Sequence, residues 1–172
     1  MKLGDNDFVL FGLPECFALD CADLDARWRR LQGTAHPDRF AREGAASLRL
    51  AMQWAVRINE AYRRLREPLS RAAYLCELRG APIAAHTNTV MPADFLMQQM
   101  AWREALAEAE DDPALARLDA EVRAAELALL GQLATLLDNQ AAPALAAERV
   151  RALMFINRFR ADLGARIDAL HD

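Results

Sequence analysis

Apolar residues recur every three or four positions along most of this chain, the period of a helix with one buried face. Near the start, Phe8, Leu10, Phe11 and Leu13 form a small cluster, and Gly12 and Pro14 end a short first helix. Asp20 is a helix N-cap for the next stretch, where Leu24, Trp28 and Leu31 fall at i, i+4 and i+7. A longer stripe follows over Ala45 to Arg66, made of Leu48, Met52, Ala55, Ile58, Tyr62 and Leu65. Pro68 stops that helix, and residues 69–78 give a further short one closed by Gly80. The stretch from Ala81 to Pro92 has little periodicity and reads as a connection.

Beyond it the pattern predicts three helices. Phe95, Trp102, Leu106 and Ala109 line the first, and Asp111-Asp112-Pro113 separates it from the second. Leu115, Leu118, Val122, Ala125, Leu129, Leu133 and Leu136 stripe the second. After a turn at Asp138 to Pro143, Val150, Leu153, Ile156, Leu163, Ile167 and Leu170 supply the core of the third, with Phe155 and Phe159 off its centre. Short turns between long helices imply an antiparallel three-helix bundle. The expected organisation is all-α, with a domain over 1–80, a linker over 81–91 and a bundle over 92–172.

Four residues do not fit the stripes. Leu96 and Met100 sit about 100–140° round the helix from Phe95, with Met97 further round. With Phe155 they are either one edge of a wide buried face or an exposed apolar patch. Periodicity leaves both open, and a Met-containing patch would suit a protein partner.

Composition sharpens the picture. Alanine and leucine are abundant and glycine and proline sparse, which favours helices. The net charge is −4 and is unevenly spread: residues 1–80 carry a small basic excess and residues 81–172 an acidic one. The acidic half argues against broad nucleic-acid binding, which needs clustered Lys and Arg. The three cysteines, Cys16, Cys21 and Cys76, are an odd number without a C-x-x-C spacing. Neither a disulfide framework nor a zinc site is expected, and free thiols in a reducing cytoplasm are. The charged N-terminus leads to the expectation of no signal peptide, and with no apolar run of membrane-spanning length no membrane association is expected. No phosphate-binding loop or nucleophile constellation appears, and no cofactor is expected.

The most specific chemistry lies between the first two long helices, at His36-Pro37-Asp38-Arg39-Phe40. Pro37 disfavours helical geometry at His36, so the preceding helix must stop there. Asp38 is an acceptor in a basic setting that includes Arg29, Arg30, Arg39 and Arg42. On the preceding helix, Arg27 and Arg30 share an exposed side.

The basic helix, His-Pro-Asp, and a long helix ending in Ile58-Asn59-Glu60-Ala61-Tyr62 together resemble a J-domain, the module that docks on DnaK-type chaperones and stimulates their ATP hydrolysis. Further residues make the resemblance more specific. They are Leu10-Phe11-Gly12-Leu13-Pro14, Pro68-Leu69 with Arg71-Ala72, Tyr74-Leu75, Phe95-Leu96-Met97 with Arg103-Glu104, and Arg151 with Leu153 and Phe155. Nearly the whole chain looks like the HscB family, J-domain co-chaperones of bacterial iron–sulfur cluster biogenesis. The resemblance implies a non-enzymatic adaptor that brings an IscU-type scaffold protein to an HscA-type chaperone. By position it implies that His36, Pro37 and Asp38, helped by Arg27 and Arg30, meet the chaperone. It implies that Leu96, Met97, Met100, Glu104 and Phe155 meet the scaffold. The chain departs from the family pattern at Arg39, where Lys is usual, at Ala35, where an aromatic usually precedes the His, and at Ala101, where an acid occurs. It lacks the N-terminal cysteine motif of eukaryotic relatives, which implies a bacterial protein.

Two other functions fit the residues less well. A His36/Asp38 acid–base enzyme has the right residue types, but the intervening Pro points the two side chains apart. A general folding J-domain protein would carry a glycine-rich or β-rich client region, which the sequence lacks.

Overall fold

Gly12 has φ of 64°, the left-handed region, and its N–H caps the first helix on the carbonyls of Phe8 and Val9. A Cβ there would meet the Arg27 guanidinium at 3.3 Å, so both backbone and space call for glycine. At the other end, the Asn6 side chain accepts from the Val9 N–H at 2.9 Å. The resulting helix α1, Asp7–Phe11, buries Phe8, Leu10 and Phe11. The computed structural model describes residues 2–35, 44–85, 87 and 89–171; these contain no strand, and the fold is all-α.

Asp20 caps α2, Cys21–Ala35, by accepting from the N–H groups of Ala22 and Asp23. Helix α3 is Ala45–Arg66 and α4 is Pro68–Leu78. Three side-chain pairs set the direction of the hairpin. Tyr62 donates to Asp25 at 2.9 Å, Trp28 donates to Asn59 at 3.0 Å, and Gln32 donates to Asn59 at 2.6 Å. Residue numbers rise along α2 as they fall along α3, so the helices run antiparallel. Leu24, Ala51, Ile58, Ala61 and Leu65 fill the core between and beneath them. Met52, expected in that stripe, is exposed instead. The buried arc of α3 is centred on Ala51, Ile58, Ala61 and Leu65, and Met52 lies about 100° from Ala51.

The chain forms two compact units, Met1–Tyr74 and Leu75–Asp172, with the division inside α4. In the second unit, α5 is Ala93–Glu108, α6 is Asp112–Ala134 and α7 is Pro143–His171. Asp111 caps α6 by accepting from the Ala114 N–H at 2.8 Å. The end of α6 passes into a π turn over Thr135–Asn139, which buries Leu137 where Leu136 was the expected core residue. Arg149 reaches Gln132 at 2.7 Å and Arg160 reaches Glu126 at 2.8 Å, so α6 and α7 are antiparallel. Phe95 meets Phe155 and Trp102 meets Phe159, so α5 runs parallel to α7. This is the expected three-helix bundle. Its core ends at Leu163 on α7. Leu170, expected inside, is exposed at the bundle's end, where its neighbour His171 reaches Asp112 at 3.1 Å.

Cys76 is buried, and desolvation pushes its thiol up from 9.0 to about 11 despite the nearby Arg79 and Arg151. In the unfolded chain the same thiol ionises near 9.0. Folding therefore favours the protonated form. That stabilisation is complete below pH 9 and is lost as pH rises toward 11, roughly 2–3 kcal/mol in all. In urea titrations between pH 8 and 11, Cys76→Ala is expected to flatten the decline seen in the parent chain. An unchanged slope would show that Cys76 plays no part in it.

Candidate functional site

On α2 the three arginines take different positions. Arg27 is committed within the N-terminal unit: its Nε pairs with Asp23 at 2.9 Å, and Nη1 donates to the carbonyls of Phe11 and Gly12 at 3.0 and 2.8 Å. It thus closes the C-terminal carbonyls of α1. Arg29 and Arg30 are exposed, and Arg29 donates to the Asp25 carbonyl at 3.2 Å. Of the expected basic face, Arg30 is solvent-directed, whereas Arg27 is held against α1. His36, Pro37 and Asp38, with Arg39 and Phe40, lie outside the described residues. Ala35 is buried at the end of α2.

Tyr62, from the expected stripe of α3, and its neighbour Asn59 form a clasp across the hairpin. Asn59 accepts from both Trp28 and Gln32, and Tyr62 stacks on Trp28 with ring centroids 4.8 Å apart. The clasp holds the two helices whose ends flank residues 36–44.

A feature that periodicity did not reveal is Asp7, fully buried at the start of α1. Its carboxylate lies 2.6 Å from Arg57 and 2.8 Å from Arg64, and its N–H donates to the Tyr74 hydroxyl at 3.1 Å. Arg64 also lies 4.8 Å from the Tyr74 ring centre. Arg57 further donates to the Asp5 carbonyl at 2.8 Å, so one buried charge gathers α1, α3 and the backbone segment before α1. Arg71, likewise buried, donates to the Leu65 carbonyl and lies over Phe17 at 5.1 Å from the ring centre.

The second candidate surface lies on α5. Phe95 and Trp102 face the bundle core, while Leu96, Met97 and Met100 are 41, 71 and 66% exposed. Glu104 is exposed on the same side. These residues form a run of apolar side chains bordered by charge on the outer face of α5. Phe155 is a correction to the off-centre expectation: only 6% of it is exposed. It stands edge-on to Phe95 at 5.8 Å and stacks with Phe159 at 5.8 Å, which in turn stacks on Trp102 at 5.9 Å. Helix α7 packs against both other helices and so buries a wider arc than a single stripe. Arg103 lies 5.3 Å from the Phe155 ring centre and covers it from the α5 side. Phe155 therefore underlies the surface, and the exposed residues on α5 form it.

Arg151, buried on α7, donates to the carbonyls of Val90 and Ile83 at 2.6 and 3.2 Å. The stretch read from sequence as a linker is thereby tied to the second unit. Among the described residues no three His, Cys, Asp or Glu side chains converge as a metal-binding group. No described helix is long and apolar enough to cross a membrane.

Residues 91–164, which contain the α5 surface, match the family model described as the HSCB C-terminal oligomerisation domain. Over 99% of its length the chain is 54% identical to a co-chaperone protein HscB homolog of Burkholderia multivorans, covering 98% of that protein. It is 50% identical to the homolog of Cupriavidus taiwanensis, with the same coverage. The solved chaperone HscB from Vibrio cholerae is similar over 96% of this chain and 99% of that one, with a TM-score of 0.81 and 37% identity. The crystal structure of human co-chaperone protein HscB is similar over 96% of this chain and 84% of that one, with a TM-score of 0.89 and 26% identity.

Proposed function

Because this chain belongs to the HscB co-chaperone family, we propose that it is an adaptor with two docking surfaces. The bundle binds an IscU-type scaffold protein, and the N-terminal helical unit presents that scaffold to an HscA-type chaperone and stimulates its ATP hydrolysis. On the scaffold side the contacts are Leu96, Met97, Met100 and Glu104, with Phe155 supporting them from below. On the chaperone side they are His36, Pro37 and Asp38, with Arg30 adding charge and Arg27 keeping α2 in place against α1. The protein itself holds no cofactor and works in the cytoplasm.

The observation that carries this most is the exposed Leu96, Met97 and Met100 face within the region matched by the family model. An apolar, methionine-containing helix face bordered by charged residues suits a protein surface better than a small ligand. The division into two compact units also supports two separable partners.

Isothermal titration of the full chain with an IscU-type scaffold, and separately with a permanently unfolded client, tests the choice of partner. Saturable one-to-one binding of the scaffold, with no binding of the unfolded client, is expected. Preference for the unfolded client would assign the chain to general folding instead.

A further inference from the structure

Among the described methionines, Met97 and Met100 are the two most exposed. Met52 is exposed on α3 of the other unit, and Met91 and Met154 are half-buried. Met97 and Met100 stand three residues apart on α5, both next to Leu96 on the outer face. A thioether is as apolar as the leucine beside it but is chemically reactive. Hydrogen peroxide oxidises it by two electrons: a sulfur–oxygen bond forms, the peroxide O–O bond breaks, and water leaves. The product sulfoxide is a strong hydrogen-bond acceptor, and access to sulfur governs where it forms.

We propose that Met97 and Met100 are an oxidation-sensitive modification site, through which peroxide-class oxidants weaken docking of the protein partner on α5. This rests on the scaffold-docking role proposed above. A sulfoxide buried against an apolar partner loses its hydration without a programmed donor, whereas on the free chain it remains in water. The fold is indifferent to the change, because Phe95 and Trp102 on the opposite arc carry the packing of α5. Methionine sulfoxide reductases, one for each sulfoxide epimer, return both side chains to thioethers: a thiol pair is oxidised to a disulfide and the sulfoxide oxygen leaves as water, so the change is reversible.

The test compares the parent chain with Met97→Leu/Met100→Leu, which keeps the apolar face and removes both sulfurs. Each is treated with hydrogen peroxide and then with dithiothreitol, which reduces sulfenic acids and disulfides at Cys16 and Cys21 and leaves methionine sulfoxides in place. Oxygen uptake is placed by mass spectrometry, and binding to an IscU-type scaffold is measured by titration calorimetry. The expected result is a rise in Kd of about tenfold to a hundredfold for the oxidised parent. The double variant is read against its own untreated form, whatever that affinity is: peroxide is expected to leave its Kd unchanged, and reductase treatment is expected to restore the oxidised parent. Unchanged affinity of the oxidised parent, or equal loss in the double variant, overturns the inference and leaves the scaffold role standing. If the untreated parent and the untreated variant both fail to bind the scaffold, the scaffold role falls and this inference falls with it.

Discussion

Asp7→Asn is expected to destabilise the N-terminal unit by about 3 kcal/mol, the lower end of the cost of breaking a buried ion pair. The substitution keeps the shape of the side chain and removes only its charge. Arg57 and Arg64 then lose the carboxylate at 2.6 and 2.8 Å that offsets their partial burial. The cost stays at the lower end because both guanidinium groups are partly open to solvent and can turn toward water. A favourable charge in the first turn of α1 is lost as well. Against a typical total stability of about 5–15 kcal/mol, the effect is large. Urea denaturation followed by tryptophan fluorescence, to which Trp28 and Trp54 of this unit contribute, reads it. Asp5→Asn, which alters an exposed contact to the Lys2 N–H, should shift stability by only about 0.5 kcal/mol. If the two variants unfolded at the same urea concentration, the buried cluster would not hold the unit together.

Leu96→Ala/Met100→Ala should leave the bundle intact and weaken scaffold binding by about two to three orders of magnitude. Both side chains are exposed in the free chain, so truncation costs the fold little. If each is covered in the complex, it contributes roughly 1.5–3 kcal/mol of apolar burial, and losses near the centre of an interface reach or exceed 2 kcal/mol. Phe155→Ala should behave differently. That ring is packed between Phe95 and Phe159, so its removal should cost about 3–5 kcal/mol of stability. Thermal unfolding and calorimetric titration of both variants separate the two roles. A double variant that binds the scaffold as tightly as the parent would remove α5 as the docking surface.

Much of the fold was legible because helix signals are local. Asp20 caps the helix it was expected to cap, α6 starts at the expected Asp111-Asp112-Pro113 break, and α3 spans the Ala45 to Arg66 stretch marked by its periodicity. Trp102 and Phe95 lie in the core as their spacing required. The misses share a different cause, since each depends on residues distant in sequence. Phe155 looked off-centre because a single stripe cannot describe a helix that packs against two others. Met52 fits a three/four repeat as well as Ala51 does, and only the position of α2 decides which of them is buried. Asp7 meets Arg57 and Arg64 across more than 50 residues, and no local pattern announces such a pair. Arg27 bonds the carbonyls of Phe11 and Gly12 at the end of another helix, contacts that no local pattern announces. At the candidate scaffold surface, periodicity separated Leu96, Met97 and Met100 from the core stripe but could not decide their exposure. Packing of Phe95 and Trp102 into the bundle turns them outward.

The most direct test is steady-state ATP hydrolysis by an HscA-type chaperone with an IscU-type scaffold, measured with the parent chain, His36→Gln, and Leu96→Ala/Met100→Ala. The parent should stimulate hydrolysis, and most strongly with the scaffold present. His36→Gln should abolish stimulation altogether, while the α5 variant should keep the scaffold-independent part and lose the cooperation. A parent chain that leaves the rate unchanged, or a His36→Gln variant as active as the parent, would contradict the adaptor role.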